Sequence, residues 1–258
     1  MNGNLTQQNY YTMVDLKEGN NYHKLIKLIT MAEENEFKYI KGNTDLLSEN
    51  LLGKKVLLLG SGPSAREIDW KSEDWDVLVT TSFFYLNDDI LEQKPIHVTL
   101  TDLVDLENPK LIEYLDSNPK CTIAFEPKVH HFYQSTVFHE FTKKYENRLI
   151  YYVILGGKEG VAARLCWLTL ACEPEKLYIC GIDGISKNWE DDPQNYFRDH
   201  KGTGDMGKTG YSYKVYWNDF QNFGKKLYAT SKEMGISLIN LGKGKPYNMI
   251  TNISEEYE

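Results

Sequence analysis

The chain contains no apolar run approaching the ~18 residues that a membrane-spanning helix needs, and its polar opening residues do not read as a secretory signal. A membrane anchor is therefore not expected. Among its 4 cysteines, Cys121, Cys166, Cys172 and Cys180, no CxxC spacing occurs, which argues against a zinc ribbon or a redox dithiol. Three of them lie in apolar runs, as reduced core thiols of a cytoplasmic protein do. Positive charge is short as well: 29 Lys and Arg against 37 Asp and Glu leave a net charge of −8. That balance excludes polyanion binding by a broadly basic surface but leaves room for a local basic groove. His130, His131 and His139 lack a His-Glu-x-x-His pattern, so no metal ligand set is read from them. His97 falls inside an apolar, strand-like run and is expected to be a core or edge residue with its hydrogen bonds satisfied. There is no internal repeat and no low-complexity tract.

What remains is an ordinary globular composition, 41% hydrophobic and 26% charged over 258 residues, enough for one large α/β domain or one domain with an appendage. Residues 1–52 are rich in Asn, Glu, Lys and Tyr, with helical spacing through Tyr22, Leu25, Ile26 and Ile29. They read as an N-terminal helical appendage. From residue 53 to about 245, apolar and amphipathic segments alternate. Strands are predicted at 55–60, 76–81, 96–101, 121–125, 149–155, 176–181 and 236–241. Helices are predicted at 64–69, 107–116, 134–144, 160–172 and 212–234. Such alternation predicts an α/β fold with a doubly wound, mostly parallel, Rossmann-like sheet. Residues 185–211 are polar and Gly-rich, as a lid segment would be, and 246–258 form a C-terminal tail.

In an open parallel sheet, ligands gather at the carboxyl ends of the strands. The first such end here is Gly60-Ser61-Gly62-Pro63-Ser64, after the apolar run 56–59. A Gly-rich turn entering a helix offers backbone N–H groups to an anion, with Pro63 fixing φ and Ser64 able to accept from an orphan N–H. A side chain at Gly62 is expected to block a phosphate from reaching that backbone. The turn has neither the Gly-Lys-Ser/Thr ending of an NTPase loop nor the third glycine of the dinucleotide fingerprint. Ala65 stands in the latter place, and Thr80, Thr81 and Ser82 stand where an acidic ribose partner would be. Thr81 and Ser82 read either as base or ribose contacts or as ordinary strand-end hydroxyls. Asp102, with Asp105 near it, reads as a ribose acceptor, an activator of an acceptor hydroxyl, a metal ligand, or a helix cap. Gly156-Gly157-Lys158-Glu159-Gly160 is a loop where backbone can approach a ligand and Lys158 can meet a phosphate, or else a connector with a solvated Lys-Glu pair. Asp183-Gly184 closes a further strand end.

The segment GSGPSAREID (60–69) followed by DVLVTTSFFYLND (76–88) resembles the opening of the bacterial sialyltransferases that use cytidine-monophosphate sugars. Those begin with G-N-G-P-S-x-x-E-I-D and D-V-x-x-x-N-x-F segments. GVAARLCWLTLACEPEKLYICGID (160–183) is similar to their S-G-V helix and G-I-D strand. The same architecture occurs in motility accessory factors that glycosylate flagellin and, more distantly, in archaeal hydroxymethylpterin diphosphokinases. The resemblance covers about 54–241 and implies a nucleotide-sugar-dependent glycosyltransferase. On it, Gly60, Ser61, Gly62, Pro63 and Ser64 match the nucleotide-binding turn, Ser61 standing for an Asn. Thr81 and Asp102 stand where the family places substrate-binding Asn residues. Glu159 and Gly160 stand at the start of the S-G-V motif, Glu159 in the Ser position, with Gly157 and Lys158 of the glycine loop just before it. Asp183 matches the Asp of G-I-D, with Gly184 directly after it, and Ile185 replaces a Tyr that steadies the leaving phosphate. These departures point to a different nucleotide or sugar, for which a uridine- or guanosine-diphosphate donor is a candidate.

The family's general base is a His between the G-I-D strand and the last long helix, and His200 alone occupies that interval. With an ordinary pKa near ~6.5 it can take the proton of an attacking hydroxyl. Lys201, Lys208, Tyr211 and Tyr213 are expected to screen the leaving phosphate or meet the acceptor. The expected reaction needs no cofactor beyond the nucleotide-sugar co-substrate. The acceptor is left open among a glycan, a protein and a modified nucleic acid such as a hydroxylated base in DNA, and a homo-oligomer is compatible with the sequence. The alternative is a pterin-type diphosphokinase in which Asp102 and Asp105 ligate magnesium. A nucleotide-sensing module is the non-enzymatic reading.

Overall fold

The computed structural model describes residues 44–100, 106–125, 136–151, 161–183 and 213–242. They form a seven-stranded sheet, every pair of it parallel, in the order β5-β4-β3-β2-β1-β6-β7. The strands are β1 (Lys55–Leu59), β2 (Val77–Thr81), β3 (His97–Leu100), β4 (Thr122–Phe125), β5 (Leu149–Tyr151), β6 (Lys176–Cys180) and β7 (Ser237–Asn240). Each lies within a segment that the sequence pattern assigns to a strand. The helices are α1 (Thr44–Leu51), α2 (Ser64–Glu67), α3 (Asp88–Glu92), α4 (Pro109–Ser117), α5 (Thr136–Lys144), α6 (Val161–Leu170) and α7 (Tyr213–Glu233).

Alternation within the strands builds two cores. Val56 and Leu58 of β1, Val79 of β2 and Leu177 and Ile179 of β6 face one layer, with α1, α6 and α7 packed over them. Leu57 and Leu59, Leu78, and Tyr178 and Cys180 face the other, beneath α2, α3, α4 and α5. Covering on both faces is why these strands read as unbroken apolar runs rather than as an alternating pattern. Trp167 of α6 meets Phe223 of α7 edge-on, ring centroids 5.9 Å apart, joining the two helices of the first layer. In the second layer Arg148 donates to the carbonyls of Leu115 and Asn118, both at 2.7 Å, tying the end of α4 to the segment that enters β5.

The sequence pattern gave no separate sign of α1, which falls inside the span read as an N-terminal appendage. Leu47 and Leu51 are fully buried in the first core, and the amide of Gly53 donates to the carbonyl of Glu173 at 3.0 Å. The packed body therefore takes in residues from Thr44 onward. The Tyr22–Ile29 pattern, the 185–211 segment and the 246–258 tail lie outside the described residues.

All four cysteines are buried free thiols, and among the described residues no helix is long and apolar enough to cross a membrane. His97 is wholly buried at the start of β3, its ring nitrogens 2.8 Å from Thr122 Oγ1 and 3.1 Å from Thr99 Oγ1. Burial pushes its pKa down to about 3, so the ring is neutral in the fold. The unfolded chain protonates it near ~6.5, so its contribution to stability is full above that pH and is lost as the pH falls toward the folded value. Between pH 7.5 and 5 the wild type is expected to lose about 2 kcal/mol more than His97→Asn. Urea titrations at the two pH values check this, and parallel losses in the two proteins would refute it.

Candidate functional site

The strand order changes direction between β1 and β6: β2 to β5 extend from one side of β1 in sequence order, and β6 and β7 lie on the other. The carboxyl ends of two adjacent strands that connect to opposite sides form the topological switch point, where open α/β sheets bind ligands. Gly60, Ser61 and Gly62 leave β1 there, and Gly181, Ile182 and Asp183 leave β6 beside them.

The two strand ends are tied closely. The amide of Gly60 donates to the Cys180 carbonyl at 2.7 Å and that of Gly62 to the Gly181 carbonyl at 2.8 Å. The amide of Ser64 donates to Asp183 Oδ2 at 2.7 Å, and Ser64 Oγ donates to Asp183 Oδ1 at 2.5 Å while accepting from the Gly181 amide at 3.1 Å. Ser64 and Asp183 are 0% and 3% exposed. A carboxylate from 119 residues away thus takes the amide at the start of α2, a position that favours negative charge.

These contacts correct two expectations. Ser64 is the first residue of α2 and not its cap: its hydroxyl accepts from the Gly181 amide and not from a helix N–H, and Asp183 accepts from both its amide and its hydroxyl. Nor are the amides of Gly60, Gly62 and Ser64 open to a phosphate, because each already has a protein acceptor. Gly62 is needed by the protein's own carboxylate: a Cβ there would lie 2.5 Å from Asp183 Oδ2 and 2.7 Å from the Gly181 carbonyl oxygen. Burial first, and the Asp183 carboxylate second, push the neighbouring Cys180 thiol up to about 12, so it stays a neutral thiol and not a nucleophile.

On the other flank of β1, Thr80 Oγ1 donates to the Leu59 carbonyl at 2.9 Å. Thr81 is 2% and Ser82 4% exposed, with Ser82 Oγ 3.5 Å from the Thr99 carbonyl. The hydroxyl of Thr80 is therefore spent on holding β2 to β1. Phe83 follows with a positive φ of 69°.

The structure thus brings Gly60, Ser61, Gly62, Pro63, Ser64, Thr81, Ser82 and Asp183 to one edge of the sheet. Tyr213 opens α7. Asp102, Gly157, Lys158, Glu159, Gly160, Gly184, His200, Lys201, Lys208 and Tyr211 lie outside the described residues. Among the described residues no group of three or more His, Cys, Asp or Glu side chains is placed to hold a metal. The Ser64–Asp183 pair escaped the sequence reading because nothing local links its members. The only sign was that each follows shortly after a strand end, Ser64 after β1 and Asp183 after β6. Compared with known proteins, the chain matches no protein-family model and no curated protein.

Proposed function

We propose that the chain is a transferase that moves a sugar from a nucleotide-activated donor to an acceptor hydroxyl. The observation that supports this best is the switch point between β1 and β6, where glycine turns from both strands meet at a sheet edge also bordered by Thr81, Ser82 and Phe83. Edges of this kind bind nucleotides across diverse α/β enzymes. In this reading His200 takes the acceptor's hydroxyl proton as its oxygen attacks the anomeric carbon. The bond from that carbon to the donor phosphate breaks, the nucleotide leaves with the electron pair, and the configuration inverts. With the amides of Gly60, Gly62 and Ser64 already engaged, the developing phosphate charge falls to side chains, for which Lys158, Lys201, Lys208, Tyr211 and Tyr213 are the candidates. Asp102 then contacts the substrate.

A thermal-shift screen against nucleotides and nucleotide sugars tests the reading. A specific donor at ~100 times its Kd is expected to stabilise the fold by about 2.7 kcal/mol. Turnover of that donor is expected to persist in EDTA. Complete loss of turnover in EDTA, restored by magnesium and accompanied by AMP release from ATP, would replace the glycosyltransferase with the diphosphokinase.

A further inference from the structure

Thr81 ends β2 at the carboxyl edge of the sheet and is 2% exposed. The hydroxyls around it are spent inside the protein. Thr80 donates to the Leu59 carbonyl, and Ser82 Oγ lies 3.5 Å from the Thr99 carbonyl. Thr99, the register partner of Thr81, has its Oγ1 3.1 Å from His97 Nε2. Among the described residues, the Thr81 hydroxyl alone of this group makes no hydrogen bond. A hydroxyl so deeply placed without a partner is costly and points to a group from outside the fold.

Side chains alternate along a strand, so Thr81 faces the same layer as Val79, which lies in the first core. That layer holds α6, packed against β2 and β3. Because α6 joins the parallel strands β5 and β6, it runs opposite to them. Val161 therefore stands at the carboxyl edge, and the chain leaves α6 at the other edge, where the Glu173 carbonyl accepts from Gly53. The start of α6 and the Thr81 hydroxyl thus share one side of the sheet at one edge. The first N–H groups of a helix have no partner inside it. Among the described residues nothing outside α6 accepts from the amides of Val161, Ala162 or Ala163. With ten residues, α6 is long enough for its dipole to favour an anion there.

We propose that the phosphate of the donor nucleotide binds between the first-turn amides of α6 and the Thr81 hydroxyl. The inference rests on the nucleotide-sugar reading above and adds a main-chain anchor to the side chains named there. It moves the phosphate off the β1 turn, where Asp183 already takes the Ser64 amide, and onto the opposite layer of the same edge. The Thr81 hydroxyl donates to a phosphate oxygen, and the amides of α6 donate to the others.

Calorimetric titration of CMP, UMP, UDP and GDP, each beside its free nucleoside, into wild type, Thr81→Val and Ala162→Asp tests this, with a Tm for each protein. Thr81→Val removes the hydroxyl and keeps a β-branched shape, and is expected to melt no lower than wild type, because no hydrogen bond among the described residues is lost. Ala162→Asp sets a carboxylate beside the amides of α6, which suits the helix dipole but competes with a phosphate, and its Tm is expected to stay close to wild type. In both variants the affinity for every nucleotide that the wild type binds is expected to fall by on the order of tenfold, while nucleoside affinity changes by less than about twofold. Wild-type nucleotide affinity in either folded variant would overturn the inference and leave the nucleotide reading intact. Equal losses for nucleotide and nucleoside would overturn it as well, placing the base or ribose there instead of the phosphate. Failure of the wild type to bind any of these nucleotides would overturn both.

Discussion

Gly181→Ala is expected to destabilise the protein by about 3–5 kcal/mol, in the range of the most damaging single substitutions, with a fall in Tm on the order of 10 °C. Two effects add. Gly181 has a φ of +72°, and its new Cβ would run into the carbonyl oxygen of Gly60 and come within 2.7 Å of that carbonyl carbon. Neither obstacle is a flexible side chain. Both are backbone, held by the hydrogen bonds from Gly60 to Cys180 and from Gly62 to Gly181, so the two strand ends must separate. Gly235→Ala supplies the comparison, since Gly235 has a nearly equal φ of +70° but nothing within 4 Å of the added carbon. Only the left-handed penalty applies there, about 1 kcal/mol. Chemical denaturation of the two variants separates conformation from collision, and equal losses would mean that the β1–β6 junction opens easily. For the same reason Gly62→Val is no clean probe of a ligand phosphate, because it displaces Asp183 first.

His200→Ala is expected to lower kcat by on the order of 10² or more, with donor affinity little changed, because proton removal matters only as the acceptor attacks. The fall in wild-type rate below pH ~6.5 is expected to vanish with the imidazole. Steady-state kinetics with the donor found by thermal shift, over pH 5 to 9, check both points. Near-normal turnover in His200→Ala would move the base elsewhere, and Asp102 would be the next candidate. Asp183 is poorly suited: its two oxygens accept from the amide and hydroxyl of Ser64, and the pair is buried.

The fold was legible in the sequence because its signals are local. A strand covered on both faces must be apolar throughout, and 56–59, 77–79 and 177–180 are. An amphipathic helix between such runs forces a crossover, and crossovers make the sheet parallel. The start of α4 carries a local signal that the reading of 107–116 as a helix did not use: Asn108 precedes Pro109 and accepts from the Lys110 amide at 3.0 Å. α1 was not readable as part of the core, since its eight residues carry few apolar side chains and its place depends on Leu47 and Leu51 finding α6 and α7.

The candidate site was legible only as a set of strand ends. The sequence by itself determined which residues reach the carboxyl edge, because strand limits follow from hydrophobic runs and their glycine, threonine and aspartate endings. Only the tertiary structure decided what those residues do to one another. It made Asp183 the acceptor of Ser64 and removed the amides of Gly60, Gly62 and Ser64 from the anion-binding groups. The physical reason is the difference in range. Periodicity and turn chemistry act over a few residues, whereas the contact that closes the switch point joins side chains 119 residues apart, brought together only when β1 pairs with β6.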